Sequence, residues 1–109
     1  MYSVLVVDDE IRQREAIIKS INWGQAGFSV AGDAENGIEA LELLEKLEPD
    51  LILTDIKMPL MTGLELARKV REIRPATKLV ILSGYDDFEY AQEAFKYNVI
   101  RYLLKPISA

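Results

Sequence analysis

Leu51-Ile52-Leu53-Thr54-Asp55-Ile56-Lys57-Met58-Pro59-Leu60-Met61-Thr62-Gly63-Leu64-Glu65 holds a strand, a loop and the start of a helix in one stretch. Leu51, Ile52 and Leu53 are apolar at every position, which is how a parallel strand covered on both faces reads. A carboxylate, Asp55, closes that strand. Thr62 then stands three residues before Glu65, the spacing of a capping box, so a helix begins there.

The same grammar extends in both directions. Residues 4–7 (Val4-Leu5-Val6-Val7) and 79–82 (Leu79-Val80-Ile81-Leu82) are also apolar throughout. Residues 28–31 and 99–104 are weaker runs, and 28–31 reads as an edge strand. Amphipathic stretches lie between the runs. Ile11, Ile17, Ile18 and Ile21 mark the first, and Ile38, Leu41, Leu44 and Leu47, recurring every three, the second. Leu66, Val70 and Ile73 mark the third, and Phe88, Ala91 and Phe95 the fourth. Asn36 before Glu39 and Asp86 before Glu89 repeat the start spacing, while Pro49 and Pro75 fall just past the second and third helices. Strict strand–helix alternation implies right-handed crossovers. The expected fold is α/β: a doubly wound, five-stranded parallel sheet between two helix layers.

Composition narrows the function. At 109 residues, 50% hydrophobic and 28% charged, the chain fits one ordinary globular domain spanning 1–109, with no internal repeat or linker. It has no cysteine and no histidine, which removes disulfides, thiol catalysis, Cys/His zinc sites and histidine acid–base chemistry. A net charge of −5 opposes nucleic-acid phosphates, so direct nucleic-acid binding is not expected. No apolar run approaches the roughly 20 residues needed to span a bilayer. The N-terminus enters a strand at once without a leader pattern, and a soluble, cytoplasmic location is expected.

Position is the informative property of the polar residues. Asp8 and Asp9 end the first strand, Asp55 the third, Ser83 the fourth and Lys105 the fifth. The carboxyl ends of parallel strands share one edge, and ligands bind there where the strand order reverses. Three carboxylates repel one another unless a cation joins them. Mg²⁺ suits such a site, because it accepts one or two carboxylates, keeps waters and completes its shell with phosphate oxygens. A carboxylate can attack phosphorus, Lys105 can hold a phosphate oxygen, and Ser83 can donate a hydrogen bond to another. Singly, each feature has a plainer reading: Asp8-Asp9 as a helix cap, Asp55 as a turn former, Ser83-Gly84 as a loop start and Lys105-Pro106 as a chain turn. Their coincidence at one sheet edge favours the chemical one.

At this point the sequence resembles the receiver domains of two-component response regulators, over essentially the whole chain. The most specific match is residues 55–63, an acceptor Asp followed by a Met-Pro loop and a glycine; Asp8-Asp9, Ser83-Gly84 and Lys105-Pro106 match the other signatures. The resemblance implies the flavodoxin-like strand order 2-1-3-4-5. It also implies a phosphorylation-activated switch in which Asp55 accepts a phosphoryl group from a sensor histidine kinase. Asp8, Asp9 and Asp55, with the backbone carbonyl of Lys57, would hold Mg²⁺, and Ser83 and Lys105 would contact the phosphate. Tyr102 matches an aromatic switch position that works with Ser83, while Lys57 and Tyr85 occupy places that tune phosphate lifetime. Residues 83–91 resemble receivers joined to AraC-type DNA-binding domains, so a transcriptional output domain outside this chain and a homodimer on phosphorylation are implied. Receivers end in a fifth helix. This chain stops after Lys105-Pro106-Ile107-Ser108-Ala109, so the domain is expected to be truncated before that helix.

Three rivals are weighed by residues. A Mg²⁺-dependent phosphohydrolase with an Asp nucleophile would need a second acid two residues after Asp55, where Lys57 stands. A flavodoxin-like electron carrier would need a Ser/Thr/Gly-rich phosphate loop where Asp8-Asp9-Glu10 stands. An interaction module that dispenses with phosphorylation is not favoured, because no site residue is missing.

Overall fold

The computed structural model describes residues 1–83, 96 and 99–104, with Ser83 and residues 100–104 described by their backbone. Five strands, β1 (Tyr2–Val7), β2 (Phe28–Ala34), β3 (Leu51–Asp55), β4 (Lys78–Ser83) and β5 (Val99–Leu104), form one parallel sheet in the order β2-β1-β3-β4-β5. Three helices, α1 (Ile11–Ser20), α2 (Gly37–Leu47) and α3 (Gly63–Ile73), make the crossovers between the first four. This is the expected doubly wound sheet with the flavodoxin-like order. The expected fourth helix and any structure beyond Leu104 lie outside the described residues.

Alternation along the central strands divides the core. Leu5, Val7, Ile52, Leu79 and Ile81 face a large cluster with Ala40 and Leu44 of α2 and Leu66, Ala67 and Val70 of α3. Val4, Leu53, Val80 and Leu82 face the other way, toward Ile17, Trp23, Phe28 and Val30. Helices α2 and α3 thus share one face and α1 lies on the other, as right-handed crossovers on opposite sides of a switch point require. Among the described residues no helix is long and apolar enough to cross a membrane.

The caps follow the sequence. Asn36 accepts a hydrogen bond from the Glu39 N–H, and Thr62 and Glu65 close a reciprocal capping box. Glu48, in a left-handed conformation, ends α2 just before Pro49, and Arg74 ends α3 just before Pro75. The first helix differs: Glu10 stands at its N-cap without a side-chain cap bond, and its N–H donates to Asp8 Oδ1.

Several expectations need correction. The second strand runs on to Ala34, because Gly32 and Asp33, turn formers by composition, pair with Leu5 and Val6 after a register shift in which Ala31 of β2 is left without a partner in β1. The stripe of α2 also drifts. A step of three residues falls roughly 60° short of a full turn on an α-helix, so Ile38 and Leu47 swing outward and the buried face is Gly37, Ala40 and Leu44. Ile73 is likewise exposed at the end of α3, and Ile11 at the start of α1. Leu44→Ala is therefore expected to destabilise the fold by about 2–5 kcal/mol and Ile38→Ala by about 1 kcal/mol or less in urea melts. Equal losses at the two sites would contradict this buried face.

Candidate functional site

Register brings the acidic residues together. Val7 of β1 pairs with Thr54 of β3, so the next residue of each strand, Asp8 and Asp55, emerges side by side at the carboxyl edge. Strand order reverses between these two strands, because the chain leaves β1 for β2 on one side and returns to β3 on the other. One carboxylate oxygen each from Asp8, Asp9 and Asp55 lies within 4.8 Å of the others. Asp8 is buried, Asp55 half-buried and Asp9 exposed, so the cluster opens to solvent on the Asp9 side.

Each carboxylate is held by local geometry. The Asp8 N–H donates to the Ala34 carbonyl (3.1 Å), and the Glu10 N–H donates to Asp8 Oδ1 (2.9 Å). The Ile56 N–H donates to Asp55 Oδ1 (2.8 Å), and Thr54 Oγ1 donates to the Asp55 carbonyl (2.9 Å). The loop beyond Asp55 is closed by the Gly63 N–H donating to the Ile56 carbonyl (2.7 Å). Gly63 is required there. A Cβ on it would run into the carbonyl oxygen of Asp55 and lie 2.9 Å from Ile56 Cα.

Of the other sequence-derived site residues, Lys57 is exposed in the loop two residues past Asp55. Ser83 is the last residue of β4, and its backbone pairs with Leu104; Tyr102 of β5 pairs with Ile81. The side chains of Ser83 and Tyr102, and all of Lys105, lie outside the described residues. The sequence reading missed Arg14, which reaches the site from α1. Its Nη1 donates to the Asp8 carbonyl (2.7 Å) and its Nε to Asp33 Oδ2 of β2 (2.6 Å). The clue was present: Arg14 falls between Ile11 and Ile18 at the three-and-four spacing of the apolar stripe expected of that helix, where a charged residue is out of pattern.

A donor set of three carboxylates, without sulfur or imidazole, fits a hard divalent cation. A half-buried carboxylate beside such a cation, at the switch point of a parallel sheet, can act as a nucleophile toward phosphorus.

Sheet, switch point and acidic cluster together define a phosphoryl-accepting receiver of two-component signalling. Residues 4–109 match the model of the response regulator receiver domain, and the chain belongs to that family. It is 45% identical over 106 residues to the uncharacterized transcriptional regulatory protein YesN of Bacillus subtilis, covering 97% of this chain and 29% of YesN. Its structure is similar to the REC domain of AraT, a response regulator from Geobacillus stearothermophilus, at a TM-score of 0.89 and 43% identity, covering 98% of this chain and 83% of that one. A two component transcriptional regulator AraC from Clostridium phytofermentans aligns at a TM-score of 0.83 and 36% identity, covering 99% of this chain and 82% of that one. The chain spans less than half the length of the first curated relatives it matches.

Because the Gly63 site has no room for a methyl, Gly63→Ala is expected to destabilise the fold by about 1–3 kcal/mol and displace the Asp55 main chain. Chemical denaturation and amide chemical shifts at Asp55 and Ile56 read both. An unperturbed Asp55 amide in a normally stable variant would contradict the contact.

Proposed function

We propose that Asp55 is the phosphoacceptor and that this domain relays the state of a sensor histidine kinase to a transcriptional output. The observation carrying the reading is the convergence of Asp8, Asp9 and Asp55 within 4.8 Å at the switch point, with Asp55 Oδ1 fixed by the Ile56 N–H. In the transfer, an Asp55 carboxylate oxygen forms the new bond to phosphorus as the P–N bond to the kinase histidine breaks. The electron pair leaves on the imidazole nitrogen. Asp8, Asp9, Asp55 and the Lys57 backbone carbonyl would hold Mg²⁺, which when bound supplies charge neutralisation for the transferred group.

The Ser83 hydroxyl and the Lys105 ammonium bind phosphate oxygens in this reading. Their inward pull, with Tyr102 turning in behind Ser83, biases the segment after β4 toward an active arrangement, a population shift rather than turnover. The relatives named as transcriptional regulators support an output domain of the DNA-binding, AraC-like kind, with this acidic receiver regulating it from the cytoplasm rather than touching nucleic acid itself. Phosphorylation would then favour a homodimer.

Incubation with acetyl phosphate and Mg²⁺ is expected to add one phosphoryl mass to the wild-type chain, none to Asp55→Asn and none when the metal is chelated. Beryllofluoride, a phosphoryl mimic, should shift the amide spectrum only with Mg²⁺ present. Labelling of Asp55→Asn at the wild-type rate would overturn the assignment, and sustained turnover of an added phosphate ester would point to a hydrolase instead.

A further inference from the structure

We propose that Arg14 and Asp33 are positioning residues for the acidic cluster: Asp33 steers the Arg14 guanidinium, which holds the main chain of Asp8 so that its carboxylate converges with those of Asp9 and Asp55. The inference rests on the metal-binding reading given above and assigns that site two residues from elements that supply none of its ligands.

Three observations carry it. Arg14 uses two different nitrogens for two different partners, Nη1 for the Asp8 carbonyl at 2.7 Å and Nε for Asp33 Oδ2 at 2.6 Å. A planar fork can do this; an ammonium on a flexible stem, presenting a point charge, holds no such fixed angle. The guanidinium is the sheltered side of the pair: the Arg14 side chain is 13% exposed and that of Asp33 45%, against 33% and 66% for Arg74 and Glu48, which sit at a longer 3.3 Å. Finally, the bond completes the restraint of Asp8. Its N–H is held by Ala34, its Oδ1 by Glu10 and its carbonyl by Arg14, so the residue is gripped from β2, from the following loop and from α1.

Charge makes the arrangement informative. A lone guanidinium beside a divalent cation would repel it, and Asp33 cancels that charge locally. Positioning and charge therefore predict opposite signs when Arg14 is neutralised. Arg14→Gln leaves Asp33 as extra negative charge, which by charge alone tightens Mg²⁺ binding. Loss of the Asp8 restraint weakens it. In Asp33→Asn the two effects agree and both weaken binding.

The experiment is calorimetric titration of the 109-residue chain with Mg²⁺, beside thermal unfolding of every variant. Arg14→Gln and Arg14→Lys are expected to raise the Mg²⁺ dissociation constant by about 10-fold, at the low end of what groups orienting metal ligands contribute, and Asp33→Asn by about 5-fold. The Arg14→Gln/Asp33→Asn double variant should bind no more than about twofold more weakly than Arg14→Gln alone, because the two residues act through one bond. Arg74→Gln, which removes the remote ion pair, should leave the constant within about twofold of wild type, separating a specific effect from lost stability. Should Arg14→Gln fail to fold, Arg14→Lys and Asp33→Asn carry the test. Wild-type or tighter affinity in the folded Arg14 variants overturns the positioning role while leaving the metal site intact. Absence of Mg²⁺ binding by the wild-type chain overturns the metal reading and this inference with it.

Discussion

Mutual repulsion among three carboxylates is the constraint around which the carboxyl edge of this sheet is organised. Two ionised groups at such a separation repel by on the order of 1–4 kcal/mol, depending on how much water screens them. An unrestrained chain would relieve this by letting the acids diverge. Here the β1–β3 register sets Asp8 and Asp55 side by side, and backbone donors from Glu10 and Ile56 fix one oxygen of each. The strands can impose that register because they are buried on both faces. Slipping β1 by one residue would carry Val4, Leu5 and Val7 each into the other of two differently packed cores. Core packing thus sustains an electrostatic arrangement that the site alone would not hold.

The two faces contribute unequally. Helices α2 and α3 bury Ala40, Leu44, Leu66, Ala67 and Val70 against one side of the sheet, whereas α1 has no fully buried residue. Its inward stripe gives up an apolar position to Arg14, and Ile11 beside the site is exposed. A helix attached this way owes its place as much to polar contacts with Asp8 and Asp33 as to burial. Packing and site chemistry therefore meet in one side chain. That placement fits a helix that frames a site rather than one that builds a core.

Much of this was legible in the chain, for definable reasons. Fully apolar tetrads such as Val4-Leu5-Val6-Val7 leave parallel central strands as the natural reading, and polar residues directly after them must lie on a shared edge, so the acidic cluster could be read without coordinates. Thr62 with Glu65 fixed the start of α3 for the same reason: a capping box is a local hydrogen-bond pattern that needs no tertiary information. What escaped depends on neighbours. Gly32 and Asp33 look like a turn until β1 supplies partners for them, and an every-three stripe in α2 looks continuous until its angular drift is followed. The Arg14–Asp33 pair joins a helix to an edge strand: the break in the α1 stripe marks Arg14, but no pattern in either element names its partner.

The loop after Asp55 shows how the surrounding elements pin the acceptor position. It contains a non-glycine residue in the left-handed region, Leu60 at φ 71°, whose side chain is 74% exposed, so the unusual backbone is not compensated by burying that leucine. The restraints sit on either side. Met61 packs so closely on Gly37 at the start of α2 that a Cβ there would lie 2.6 Å from its sulfur. Gly63 packs under the Asp55 carbonyl at the start of α3 and donates to Ile56 at 2.7 Å. With both flanks fixed against helix starts, the apex has few ways to span them, and the left-handed Leu60 follows from closure. The main chain of Asp55 consequently has no free volume toward α3. A close-packed contact of that kind transmits displacement instead of absorbing it.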